Sequence, residues 1–125
     1  MPTKKILVAD DDPDLVALLK AFLEDRKWAV AVARDAMQVT MLARWESPQA
    51  VLLDITMPGG DGIRSLKQLK ASSKLREIPV VVMSARNDEA TARTATDAGA
   101  VKFLPKPLNL ETVHQTLVEL IGEPT

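Results

Sequence analysis

The chain has no cysteine. That excludes disulfides, thiolate metal sites and cysteine nucleophiles, and leaves oxygen, amine and the single imidazole of His114 to carry any chemistry. An excess of charge is missing too: sixteen Lys and Arg stand against seventeen Asp and Glu, a net of −1. A dedicated nucleic-acid binder normally carries a basic excess or stripe, so direct nucleic-acid contact is not expected. Long apolar runs are also absent. After Lys4 and Lys5 only Ile6 to Ala9 intervene before three aspartates, too little for a signal-peptide core or a membrane span. The expectation is a cytoplasmic protein that makes no membrane contact. Low-complexity segments and sequence repeats are lacking as well, and the 125 residues suit one domain over 1–125, with 122–125 a possible linker stub.

Five short apolar runs remain: Ile6 to Ala9, Ala29 to Ala33, Val51 to Leu53, Val80 to Met83 and Val101 to Leu104. Each has the length of a strand, and most lack alternation, which suits strands buried on both faces of a parallel sheet. Helical spacing fills the intervals. Leu15, Leu18, Leu19, Phe22 and Leu23 follow the i, i+3, i+4 rule, as do Leu110, Val113, Leu117, Leu120 and Ile121, with a shorter stripe at Ile63, Leu66 and Leu69. Asp12 before Pro13, Asp35 and Asn109 are placed to cap helices. The pattern predicts an α/β fold, a doubly wound (βα)5 unit with helices on both faces of one parallel sheet. The helix between Asn87 and Ala98 offers only alanines for burial and should be weakly anchored.

In such folds ligands bind at the carboxyl ends of the strands. Asp10, Asp11 and Asp12 follow the first run, Asp54 the third, Ser84 the fourth, and Pro105-Lys106-Pro107 the fifth. Run two offers nothing comparable, which suits a strand order of 2-1-3-4-5 with the site between strands 1 and 3. Asp12 is better placed as a helix cap than as a ligand. Gathered carboxylates repel one another and call for a cation; with oxygen donors only, Mg²⁺ fits better than zinc. A Mg²⁺ site of few protein ligands leaves room for a phosphoryl group. The Lys106 amine and Ser84 hydroxyl would meet its oxygens, and the isolated Asp54 would attack phosphorus to give an acyl phosphate.

The strings Ile6-Leu7-Val8-Ala9-Asp10-Asp11-Asp12-Pro13 and Leu53-Asp54-Ile55-Thr56-Met57-Pro58-Gly59-Gly60-Asp61-Gly62, with Met83-Ser84-Ala85 and Phe103-Leu104-Pro105-Lys106-Pro107, closely resemble the receiver domain of two-component response regulators. The resemblance runs through essentially the whole chain in order. It implies a flavodoxin-like fold and a phosphoacceptor role for Asp54, charged from a histidine kinase or a histidine phosphotransfer protein. It further implies Mg²⁺ held by Asp10, Asp11, Asp54 and the backbone carbonyl of Thr56. Lys106 matches the family lysine, Ser84 the hydroxyl that follows the phosphoryl group, and Phe103 the aromatic switch residue, here without the hydroxyl of tyrosine. The family's Lys-Pro bond is usually cis, which Lys106-Pro107 accommodates. The implied output is a change in the surface made by the fourth helix, fifth strand and fifth helix, in a monomer or a phosphorylation-dependent dimer. The partner on the output side is a downstream effector.

Two alternatives stand beside this. A haloacid-dehalogenase-like phosphatase would need a second acid two residues past the nucleophile, where this chain has Thr56, which cannot do general acid work. A receiver-like docking module that never carries phosphate would not need the intact acidic set. On the first reading the chain is a switch rather than an enzyme, limited to self-phosphorylation from small donors and autodephosphorylation.

Other residues receive plainer readings. Gly59, Gly60 and Gly62 suggest a loop needing positive φ beside the site. Trp28 and Trp45 read as edge-of-core residues, and His114 as lying far from the site. The segment from Gly62 to Arg76, with five basic residues and no acid, reads as a solvated face or a docking surface.

Overall fold

The computed structural model describes residues 3–56, 62–86 and 88–125. Strands and helices alternate throughout: β1 (Lys5–Ala9), α1 (Pro13–Asp25), β2 (Ala29–Ala33), α2 (Ala36–Glu46), β3 (Ala50–Asp54), α3 (Gly62–Ala71), β4 (Val80–Ser84), α4 (Glu89–Asp97), β5 (Lys102–Pro105) and α5 (Leu110–Ile121). The strands form one parallel sheet in the order β2-β1-β3-β4-β5. This is the expected doubly wound arrangement.

Successive side chains of a strand point to opposite faces, so each central strand serves two cores. Leu7, Ala9, Val51, Leu53, Val80 and Val82 pack with residues of α2, α3 and α4. Ile6, Val8, Ala50, Leu52, Val81 and Met83 pack with residues of α1 and α5. Burial on both faces removes the need for polar alternation, which is why β1, β3 and β4 read as unbroken apolar runs. The edge strands differ: β2 is mostly half-buried, and in β5 only Leu104 is fully buried.

The helix caps follow the sequence. Asp12 accepts from the backbone N–H groups of Asp14 and Leu15, Asp35 from Gln38, and Asn109 from Thr112. Asp88 caps α4 through Thr91, and Ala95 is the one residue of that helix buried among those described. Three details depart from the expectation. In α1, Val16 joins the buried stripe and Leu18 is 54% exposed. Trp45 is 81% exposed and lies outside the core, whereas Trp28 is fully inside it. Gly62 is needed for space rather than for positive φ: a Cβ there would overlap the backbone of Ile55 and lie 2.7 Å from the Asp54 carbonyl oxygen. Gly59 and Gly60 lie outside the described residues.

The two ends of the fold meet. The Lys4 backbone N–H donates to the Pro124 carbonyl at 2.8 Å, and Lys4 Nζ to that of Ile121 at 2.6 Å.

Candidate functional site

The sheet register assembles the site. Ala9 pairs with Leu53, so Asp10 and Asp54 leave adjacent strands side by side. Asp54 pairs with Met83 and Ser84 with Pro105, which brings Ser84 and Lys106 to the same edge. The Lys106 backbone N–H donates to the Ser84 carbonyl at 2.8 Å, fixing the turn that carries the amine, and the Lys106-Pro107 peptide is cis.

Asp10, Asp11 and Asp54 each present a carboxylate oxygen within 4.8 Å of the others, with Asp10 and Asp54 buried and Asp11 exposed. Into this cluster Lys106 projects its ammonium, 2.8 Å from Asp10 Oδ2 and 3.4 Å from Asp54 Oδ2. The other oxygens of the two buried acids are held by the backbone. Asp10 Oδ1 accepts from the Asp12 N–H at 3.0 Å. Asp54 Oδ1 accepts both the Thr56 N–H at 3.0 Å and the Thr56 hydroxyl at 2.8 Å. Asp54 Oδ2 is thereby left facing the lysine side of the pocket. Ser84 is fully buried, and its Oγ accepts from the Arg86 N–H at 3.0 Å, which leaves the hydroxyl proton free to donate elsewhere.

Burial dominates the electrostatics of Asp10. It pushes the carboxyl above its ordinary value of 3.8, against the Lys106 and Asp12 hydrogen bonds that favour the charged form. For Lys106 burial also disfavours charge, but the bond to Asp10 and the nearby Asp54 together outweigh it and raise the amine above its ordinary 10.5. The two directions are compatible because Asp10 loses all of its side-chain exposure while Lys106 keeps 19%. One ammonium against three carboxylates leaves the cluster acidic. Its all-oxygen donor set fits a hard divalent cation such as Mg²⁺.

Next to the site, an opening of about 310 Å³ is lined by Ile55, Thr56, Ile63, Arg86, Thr91 and Thr94. Phe103 stands on β5 opposite Val82, half-buried against the core that includes Ile63 and Ala95. Asp12 is occupied as the cap of α1. His114 lies away from the cluster, where its Nδ1 accepts the Trp28 indole N–H at 3.0 Å. The pairing of Thr56 with Asp54 was invisible in the sequence beyond its spacing of two residues, the reach of a side-chain turn.

A family profile described as the response regulator receiver domain matches residues 6–118. The chain is 35% identical over 119 residues to the response regulator GtcR of Aneurinibacillus migulanus, covering 94% of this chain but only 48% of GtcR. It is 34% identical to the protein PilH of Pseudomonas aeruginosa, covering 90% of this chain and 93% of PilH. The chain thus spans about half of one relative and nearly all of the other. Among solved structures, the receiver domain of the sensor histidine kinase PA1611 from Pseudomonas aeruginosa superposes with a TM-score of 0.89 at 23% identity, covering 98% of this chain and all of that one. That structure is described with a magnesium ion coordinated in its active site cleft.

Proposed function

Because this chain belongs to the receiver-domain family of response regulators, we propose that it is a phosphorylation-controlled switch whose acceptor is Asp54. The observation that carries this reading is the buried Asp54 carboxylate, with one oxygen fixed by Thr56 and the other beside Lys106. The donor is a histidine kinase or a histidine phosphotransfer protein, and the exchange takes place in the cytoplasm.

A lone pair of Asp54 attacks the phosphorus of the donor phosphohistidine. As the new O–P bond forms, the N–P bond breaks and its electron pair returns to the imidazole nitrogen, which becomes available for protonation. The Thr56 bonds restrict rotation of the carboxylate and so favour attack through the oxygen facing Lys106. The Lys106 ammonium then meets a phosphoryl oxygen as a fixed positive charge. Ser84 has its Oγ occupied as acceptor by Arg86 and its proton unassigned, so it donates to another phosphoryl oxygen. Asp10, Asp11, Asp54 and the carbonyl of Thr56 would hold Mg²⁺. When bound, the ion supplies charge neutralisation to the transferring phosphoryl group.

The response is a shift of Ser84 toward Asp54 and of Phe103 further into the core, using the opening beside Thr56 and Thr91. The element that moves is α4, which buries one described residue and is held at its start by the Asp88 cap. Turnover as a phosphatase is disfavoured because the position of the leaving-group acid is Thr56, whose hydroxyl donates to Asp54.

Intact-mass spectrometry after incubation with Mg²⁺ and acetyl phosphate tests the reading. A single added phosphoryl group that disappears in Asp54→Asn supports it. No added mass, or mass that survives Asp54→Asn, overturns it.

A further inference from the structure

The outer face of α2 has no role in the switch described above, yet it carries three of the five large hydrophobic side chains that are exposed among the described residues. Met37 is 79% exposed, Met41 55% and Trp45 81%. Their spacing of four residues aligns them along one side of the helix. Large apolar side chains gathered in this way on a soluble face mark contact surfaces, and Trp, Met and Arg are the residues enriched in them.

Beside this ridge runs an open groove of about 680 Å³ between α2 and α3, lined by Thr40, Met41, Arg44, Gln68, Ala71 and Ser72. Its other wall, made by Gln68, Ala71 and Ser72, is uncharged but is flanked by basic residues of α3. Arg64 and Lys67 lie one turn before Gln68 and Ala71, both are exposed, and neither has an ion-pair partner among the described residues. Arg44 on the α2 wall is in the same condition. The acid of α2, Glu46, is already bound to Lys5 at 2.6 Å. The segment from Gly62 to Arg76 carries five basic residues and no acid.

We propose that the α2–α3 groove is a docking site for an acidic amphipathic helix of a partner protein. The partner's apolar side chains would pack on Met41 and Trp45, and its carboxylates would face Arg44, Arg64 and Lys67. A second copy of this chain across a two-fold axis would bring these unpaired cations against one another, which disfavours self-association. A membrane surface calls for basic residues flanking the inserted apolar stripe on the same helix. Here α2 contributes Arg44 alone, and the remaining charge lies across the groove. An object lying between the two walls touches both, which is the geometry of a helix in a groove.

The test uses the full chain and a synthetic helical peptide with Leu and Phe on one face and Glu on the other, followed by amide NMR shifts and Trp45 fluorescence. Expected are perturbations confined to α2 and α3, with binding weakened about tenfold by Trp45→Ala and again by Arg44→Glu. Both side chains are exposed, and retained amide spectra confirm that the variants fold. No binding, perturbations centred elsewhere, or equal binding of a peptide with Lys in place of Glu overturns the proposal. So does binding of phosphatidylglycerol vesicles through Trp45 in preference to the peptide, or dimerisation abolished by Trp45→Ala.

Discussion

The ammonium of Lys106 lies 2.8 Å from Oδ2 of Asp10, a carboxylate whose side chain has no solvent exposure. The pair joins residues 96 positions apart and closes the site from the β5 side. Without Lys106, Asp10 and Asp54 would face each other with no cation between them.

Lys106→Met should therefore destabilise the metal-free protein by ~3 kcal/mol, the range observed when one partner of a buried ion pair is removed. Urea denaturation in EDTA measures it. Added Mg²⁺ should recover much of the loss, since a divalent ion supplies the missing charge. Equal stability of the two proteins in EDTA would show that Lys106 does not compensate the acids.

Thr56 donates twice to the same oxygen of Asp54. Thr56→Val removes the hydroxyl bond and keeps the bulk and the backbone bond. A carboxylate stabilised by one bond fewer is the better nucleophile, so labelling by acetyl phosphate should accelerate about fivefold, equivalent to ~1 kcal/mol. The rate of mass gain reads this directly, and a slower rate would mean that orientation by the hydroxyl outweighs its ground-state stabilisation.

Gly62 packs against the backbone that carries the acceptor, with its N–H donating to the Ile55 carbonyl at 3.2 Å. Gly62→Ala should cost about 2–3 kcal/mol because backbone, unlike a flexible side chain, has little room to yield. Thermal unfolding checks the stability loss. Gly99→Ala is the informative companion: its added Cβ meets the Lys70 side chain rather than backbone, although its φ of 112° adds strain.

Asp88 caps α4 through two bonds from Thr91, which hold its carboxyl below the ordinary 3.8. A depressed folded value means that the stabilisation is present above the unfolded value and is lost as pH falls through the folded one. Amide exchange protection at Thr91 and Ala92 should thus fall as the solution is acidified below pH 3.8, ahead of that in α5. Asp88→Ala should produce the same loss at neutral pH, and unchanged protection there would show that the cap does not hold the helix.

The strand runs were legible because burial on both faces leaves an uninterrupted apolar signature, and Asp12, Asp35 and Asn109 were legible as caps because capping needs a short oxygen-bearing side chain. The residues at the ends of runs one, three, four and five were likewise visible in position, and the register brings Asp10, Asp54, Ser84 and Lys106 to one edge. Less visible were features decided by packing between elements. Trp45 and Trp28 are the same residue type in similar local patterns, and only the docking of α2 and α5 on the sheet leaves one exposed and gives the other His114 as a partner. The spacing of Met37, Met41 and Trp45 was present in the sequence, but an apolar stripe at helical period ordinarily signals core. Gly62 showed its type and not its reason, since a close approach and a positive φ select the same residue.

The clasp of Lys4 on Ile121 and Pro124 has a mechanical consequence. Lys4, Ile121 and Pro124 lie together at one pole of the sheet, with Asp10 and Asp54 at the other. The five residues of β1, at about 3.3 Å each, set roughly 16 Å between the poles. Anything tethered at either end is thus hinged where the aspartates do not reach, and news of their state must arrive through the rigid body of the sheet and its helices. The same closeness makes the backbone nearly a ring: a short bridge from end to end would close it, and a new opening in an exposed turn would leave the acidic edge untouched.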